Sequence, residues 1–482
     1  MAVFNNNLLA AAGAQGSTEY TINQSIRFRD ADEHFMYSPT PSSGKDFTTT
    51  ATISLWFKLG NLGAAYLAGA FYGNNNRYNI LAINSSGQLL EYDRVGGAST
   101  SNGTGTIGWT TTRVFRDPSA WYHAVFVWDT TNAVQSERFR LYINGVRETD
   151  FATAPALGAS ELVYWFGKST PTTLGAYFTG TGYADTYYFD GYMAEMHGVD
   201  GTALNQDSFG EFNSSGIWIP KEYSGSHGTD GFYIKGADAS ALGTNSAANG
   251  NNFTLNGISS HDKMLDSPTN NFCVMNAIEN VPCNFSEGNL TLDSTANFSG
   301  NAIRGTVHIK GGSTGKWYYE VVGSLTGDYW GTGWMLSSII NPSGTVIGQE
   351  SGSVGFYNTG SYQNTTNVQG VITKPAAGDV IGVGLDASTG QVFLRDDTGY
   401  YVGTLSSNVL SNGVVITGFS GEDLVMASRN SSSGTCTYNF GQDGTFAGAK
   451  TAQGNTDANG IGNFFYTVPD GFLAICTKNL GS

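Results

Sequence analysis

The sequence predicts an all-β protein: two antiparallel β-sandwiches of jelly-roll type in series, preceded by an N-terminal arm. Three observations carry this. The 482-residue chain holds 65 glycines, with 13% aromatic and only 13% charged residues. Such a chain turns often and buries many rings, whereas helical proteins carry more Glu, Lys and Leu. Short runs of alternating apolar side chains recur between Gly, Asn, Asp and Ser clusters, at the spacing of a sandwich. The stretch WYHAVFVWDTTNAVQSERFRLYINGV, residues 121–146, also reads as a hairpin. Phe139, Leu141 and Ile143 alternate with Arg138, Arg140 and Tyr142, and Asn144-Gly145 suits a two-residue turn. Residues 121–128 are apolar on both faces, as expected of a central strand covered on both sides.

The elements follow in order. Residues 1–20 form an arm with one possible helical turn through NLLAAA, and residues 1–18 carry no charge. Its apolar Phe4, Leu8 and Leu9 make it the expected attachment element to another subunit. The first sandwich, 21–235, has strand candidates in SIRFRD, TATISLWFKLG, RYNILAINSSGQLLEYD, the hairpin, SELVYWFGKS and YYFDGYMAEMHGVDG. LNQDSFGEF adds one short helix candidate. Residues 236–285, rich in Gly and Asn, read as an irregular connector. The second sandwich, 286–482, has IRGTVHIK, GKWYYEVVGS, GSVGFYN, DVIGVGLDASTGQVFLRDDTG and GVVITGF. It closes through CTYNFGQ and FFYTVPDGFLAICTKNL.

The net charge of −16, from 39 acidic and 23 basic residues, argues against nucleic-acid binding and anionic membranes. It remains compatible with neutral glycans. No apolar run approaches the ~18 residues of a membrane span, and the N-terminus lacks the basic start and long apolar stretch of a secretory signal. A soluble protein made in a cytosol is expected. Cys273, Cys283, Cys436 and Cys476 show no CxxC spacing and read as buried thiols, with a Cys273–Cys283 disulfide as the less favoured alternative.

SIRFRDADEHFMYSPTPSSGKDFTTTATISLWFKLGNLG, FRDPSAWYHAVFVWDTT, RLYINGVR and YFDGYMAEMHGVDGTALNQDSFGEF together resemble the concanavalin A-like (laminin-G-like) lectin/glucanase domain of bacteriophage structural proteins. GKWYYEV, GDVIGVGLDASTGQVFL and the closing NFGQ and FYTVPDGFLAICTKNL resemble the SPRY-type domain that often follows it there, and DSPTNNFCVMN resembles the joining segment. The resemblance implies a virion component, such as a tail fibre, an adhesin or a capsid fibre. It would be made in the host cytoplasm and displayed on the particle surface. Other virion proteins would be its partners, and a homo-oligomer, with a trimer suspected, is expected. Two departures matter. VFLRDDTG replaces the usual SPRY hairpin, so no ligand contact is carried over to it. Gly191-Tyr192-Met193-Ala194 lacks the aspartate of calcium-binding relatives, so neither metal nor cofactor is expected.

Catalytic patterns fail on context. GGSTG, residues 311–315, sits in a turn between strands rather than a strand-to-helix elbow. GTGTIG, residues 103–108, has no helix after it. No Glu-x-Asp-x-x-Glu run of the glucanase type occurs, and the nearest cluster, Glu195 with Asp190 and Asp200, is explained by solvation at a strand edge. His123, between Trp121 and Val125, reads as a hydrogen-bonded core histidine. The protein is therefore expected to be no enzyme. Binding candidates are aromatic: Tyr183 and Tyr187 around Asp185 in GTGYADTYYFDG, and Tyr329 and Trp330 in GDYWGTGWM, where Trp334 reads as core. Exposed rings stack on the apolar faces of sugars. The expected function is a non-catalytic virion protein contacting host-surface glycans. A decoration or assembly protein without glycan binding is the alternative, and a glycan depolymerase the third.

Overall fold

The structure, a computed structural model, describes residues 19–40, 48–72, 77–93, 106–166, 171–178, 182–183, 186–279, 283–293, 302–323, 330–339, 347–357, 361–364, 366–368, 376, 378–430 and 434–481. The chain divides after Thr269 into two compact units. Among the described residues, no helix is long and apolar enough to cross a membrane.

The first unit begins with β1 (Ser25–Phe28), β2 (Phe35–Tyr37), β3 (Thr50–Leu59), β4 (Ala65–Tyr72), β5 (Arg77–Ile83) and β6 (Gln88–Asp93). It continues through β7 (Thr106–Val114), β8 (Tyr122–Asp129), β9 (Phe139–Ile143), β10 (Val146–Arg147), β11 (Phe151–Thr153) and β12 (Thr172–Leu174). β13 (Gly191–Asp200), β14 (Gly210–Phe212), β15 (Trp218–Pro220), β16 (Phe232–Ile234), β17 (Thr254–Asn256) and β18 (Lys263–Met264) complete it. One sheet runs β10-β9-β8-β3-β13-β1-β18, with β16 also paired to β13; the other runs β11-β7-β6-β5-β4-β12-β2-β17. The β9–β10 turn uses Asn144 and Gly145 at φ 48° and 78°, the left-handed pair such a turn requires.

Alternation along β3 sends Ile53, Leu55 and Phe57 into the core between the sheets, where they join Phe126 and Trp128 of β8, Leu141 of β9 and Leu81 of β5. The opposite face of the first sheet is covered as well. Val125 and Val127 pack with Val199 and Phe209, while Trp56 packs with Trp121, Trp218 and Met264. This double cover is why β8 is apolar on both faces. His123 is a core histidine as expected: it is 1% exposed, lies 2.9 Å from Ser54 Oγ through Nε2 and accepts Trp218 Nε1–H at Nδ1 over 2.9 Å.

Two expectations are corrected here. The stretch 236–285 is not one irregular connector. β17 pairs with β2 and β18 with β1, so the first unit extends to Thr269 and the second starts at Asn270. Ser267 Oγ and Thr269 Oγ1 each donate to Ile22 O at 2.7 Å. The asparagines that suggested a linker serve as internal clasps: Asn245 Oδ1 accepts Tyr233 N–H at 2.8 Å, and Asn249 Nδ2 donates to Gly231 O at 2.7 Å. LNQDSFGEF forms a single 3-10 turn at Gln206–Ser208 and then β14, not a helix. The NLLAAA turn and Phe4, Leu8 and Leu9 lie outside the described residues.

The second unit also stacks two sheets. One centres on strands Lys316–Gly323, Val380–Asp386, Gln391–Asp396 and Thr435–Asn439, the other on Ile303–Lys310, Asp423–Asn430, Trp330–Leu336 and Ser353–Tyr357. Phe472–Ala474 pairs parallel to the first of these, a departure from the otherwise antiparallel pattern. Tyr319, Val321, Trp334, Val383, Leu385 and Phe440 fill the core. The unit's ends meet: Phe272 bridges Cys476, Cys273 N donates to Ile475 O at 2.9 Å, and Thr477 N donates to Asn271 O at 2.9 Å. Among the described residues the four cysteines form no disulfide; burial pushes the Cys283 and Cys476 thiols up to about 12.

Trp330, expected as an exposed sugar platform, is 3% exposed and belongs to this core. Its glycine-rich surroundings explain the error. A Cβ on Gly323 would meet the Trp330 ring at 2.3 Å, so glycine here makes room for a buried ring instead of marking a turn.

Candidate functional site

Strands β4, β5 and β6 carry apolar side chains on both faces. Leu67, Leu81, Ile83 and Leu89 point into the core, whereas Tyr66, Tyr78, Ile80, Ala82 and Leu90 cluster on the outer face with Tyr92. The segment after β12 lays Tyr177 and Phe178 against that cluster. It approaches closely: a Cβ on Gly69 would lie 2.6 Å from Tyr177 Cβ, so β4 needs glycine beneath it. Tyr66 is the hub, with Tyr177 edge-on at 4.8 Å and Tyr187 edge-on at 5.9 Å. Tyr66 N also donates to Tyr187 O at 2.9 Å. Tyr187 holds a left-handed φ of 62° and leaves 52% of its surface exposed. That backbone conformation, uncommon for a tyrosine, turns its ring outward.

A second group adjoins through Phe178. Tyr183 packs on Phe35 at 4.3 Å, on Tyr37 at 5.2 Å and edge-on to Phe178 at 5.3 Å. Burial raises the phenols of Tyr66, Tyr92 and Tyr183 above their ordinary value, and neighbouring tyrosines add to the shift. All three hydroxyls therefore stay protonated at neutral pH and can both donate and accept. Tyr66 and Tyr78 are buried, so the rings open to a ligand are that of Tyr187 and, in part, those of Tyr92, Tyr177 and Tyr183, a chemistry that suits neutral hydroxylated ligands.

The sequence-predicted Tyr183 and Tyr187 thus fall in neighbouring aromatic groups, Tyr183 half-buried among rings and Tyr187 projecting. Asp185 and Tyr329 lie outside the described residues. Tyr66, Tyr78, Tyr92 and Tyr177 were missed. The available signal was the outward-facing alternation of Tyr78, Ile80 and Ala82, apolar where a solvated sheet face would be polar.

Two family models match the sequence. Residues 32–208 match the concanavalin A-like lectin/glucanases superfamily, and residues 316–428 match the SPRY domain. The chain carries a concanavalin A-like domain followed by a SPRY domain. A search of curated proteins finds no match. Among solved structures, the TRIM65 PSpry domain is similar at 12% identity and a TM-score of 0.27, over 35% of this chain and 88% of that one. The native heptameric SAP-like pentraxin of Limulus polyphemus is similar at 17% identity and a TM-score of 0.25, over 36% and 79%. The SPRY domain of human HERC1 follows at 12% identity and 0.24, over 32% and 91%.

Within the SPRY domain, the fully buried Glu320 fastens the closing segment. It accepts Phe465 N–H and Tyr466 N–H, each at 2.8 Å, and Tyr318 Oη–H at 3.2 Å. Burial pushes its carboxyl up to about 7 against the pull of these donors. In the concanavalin A-like domain Glu195 is not solvated at a strand edge, as its neighbours in sequence suggested. It lies on the central strand β13, is 6% exposed and is hydrogen-bonded to two tyrosines.

Proposed function

We propose that this protein is a non-catalytic structural component of a bacteriophage virion, an adhesin of tail- or capsid-fibre type. Its concanavalin A-like domain contacts neutral glycans on the host surface. The observation that carries the glycan reading is the tyrosine face over β4–β6, with Tyr187 projecting from it at 52% exposure. Exposed rings with protonated hydroxyls bind sugars through their apolar faces and need no basic residue, in keeping with a net charge of −16. The virion setting is supported by the joint order of the segments that resemble phage proteins, a lectin-type sandwich, the DSPTNNFCVMN joint and a SPRY-type sandwich.

A glycan array probed with the purified protein, followed by host-cell adsorption, tests the binding. Tyr187→Ala should weaken glycan binding about tenfold, the worth of one good ring stack, and leave the melting temperature unchanged. Tyr183→Ala, by contrast, should cost about 2 kcal/mol of stability through its three ring contacts. Glycan binding unaltered by Tyr187→Ala would sink the site. Absence of the protein from purified particles, by antibody labelling in negative stain, would sink the virion reading.

A further inference from the structure

β13 carries a bulge where its partner β3 does not. Ala194 opposes Trp56 and His197 opposes Ser54, so Glu195 and Met196 together face Leu55. Glu195 takes up the extra residue at a left-handed φ of 47°. Without the bulge, strict alternation would send Glu195 into the apolar core and Met196 outward; with it, Met196 is core and Glu195 joins His197 on the outer face. Strain of this kind persists where the side chain it re-aims has a task.

That side chain anchors a chain of titratable groups. Tyr233 Oη donates to Glu195 Oε2 at 2.5 Å and Tyr20 Oη donates to the same oxygen at 2.9 Å. His197 Nε2 lies 3.6 Å from it. On its other side His197 Nδ1 meets His227 Nε2 at 3.1 Å, with the two rings within 7° of parallel. Tyr223 closes edge-on over His227 at 5.0 Å. His227 and Tyr223 belong to the segment 221–231, whose residues Lys221, Glu222, Ser224, Gly225 and Ser226 are exposed.

At 3.1 Å one imidazole nitrogen must donate and the other accept, so the pair holds a single shared proton at that contact. A second proton at that contact would set N–H against N–H, and a charge on His227 would have to be carried in a buried place, beside a Glu195 that already serves two tyrosines. His123 from β8 and Lys221 from the segment itself line the pocket beside the pair, Lys235 lies over the Tyr233 ring at 4.7 Å, and Glu222 acts on Tyr20. At the end of β13, Asp200 N donates to His227 O at 2.9 Å and Asp200 Oδ2 accepts Asp230 N at 3.4 Å. Burial first, and the neighbouring His197 next, hold His227 down at about 4.

We propose that Glu195, His197 and His227 form an acid-operated latch: protonation of His227 releases the segment 221–231 from the outer face of β13 while the sandwich stays folded. Release uncovers the outer-face pocket lined by Trp56, His123, Glu195, His197, Phe209 and Pro220, which Lys221 of the segment now helps to wall. The environment sensed is a mildly acidic one.

Hydrogen–deuterium exchange of the full chain, corrected for the intrinsic pH dependence of exchange, reads the latch directly. With His227 regaining an ordinary value near 6.5 when released, peptides across 221–231 should open about thirtyfold more at pH 5 than at pH 7.5. Peptides of β3 and β8, which open only on global unfolding, should exchange far more slowly than 221–231 at both pH values. His227→Phe keeps the ring stack, and His227→Gln keeps a hydrogen-bonding partner for His197; neither takes a proton, so both should remove the pH dependence. Three results would overturn the proposal: no rise in 221–231, opening of 221–231 at pH 5 no faster than that of β3 and β8, or the same rise in both variants.

Discussion

Asp266 accepts Lys58 Nζ at 2.7 Å and Trp121 Nε1 at 2.9 Å, with Lys58 and Asp266 fully buried. A buried ammonium deprived of its carboxylate is expensive, so Asp266→Ala should destabilise the first unit by about 3–5 kcal/mol, measured by urea denaturation, and Asp266→Asn by less. A loss under 1 kcal/mol in the alanine variant would mean that water reaches Lys58. Nothing near Asp266 in the sequence announces this role, because its partners lie 208 and 145 residues away. His123 was legible, since alternation within one strand is enough to place it, and Trp334 is core as read. Trp330 was not, because a glycine beside a ring has two meanings, a turn or a pocket, and only the neighbouring strand decides between them. The candidate tyrosines show the same limit: Tyr187 could be singled out locally, but its contact with Tyr66 joins a loop to a distant strand.

At the scale of elements, period-two alternation located several of the long strands, β3, β8 and β9 among them, and Asn144-Gly145 located a turn. It missed β4 and β7, of eight and nine residues, whose glycines and threonines blur the apolar alternation. It also missed the closing strands β17 and β18, of three and two residues, too short for any period to register. Their pairing nevertheless closes both sheets of the first unit at one edge. A fragment ending at residue 235 would lack β18 and Asp266 and expose the outer face of β1 and β3. It should therefore be insoluble or melt without cooperativity, while a fragment ending at Thr269 should unfold cooperatively by circular dichroism. Equal behaviour of the two fragments would show that the closing segment is dispensable. The bulge in β13 escaped the sequence too, because MAEMHG is compatible with either register and the choice depends on which face can satisfy Glu195.

For the molecule as a whole, buried neutral histidines set the response to acid. Burial holds His34 down at about 4 and His123 at about 3. Because the folded values lie below the ordinary one near 6.5, the unfolded chain takes up protons first as the pH falls. Stability is complete above about pH 6.5 and is lost as the pH drops towards the folded values, with His123 alone accounting for about 3 kcal/mol by pH 4. The melting temperature should fall steeply from pH 6.5 to pH 4, and His123→Gln should flatten that fall; a flat profile in the unaltered protein would contradict the burial. The two-domain order was legible in the sequence, but the boundary was not, because the first unit returns to its own beginning before it ends. Thr269 is tied to Ile22, and in the second unit Thr477 is tied to Asn271. Each domain therefore enters and leaves its fold at one spot, like a ring closed by a clasp. A gene segment encoding such a ring can be cut out and set into a surface loop of an unrelated protein without prising that loop apart, so recombination can trade these domains whole.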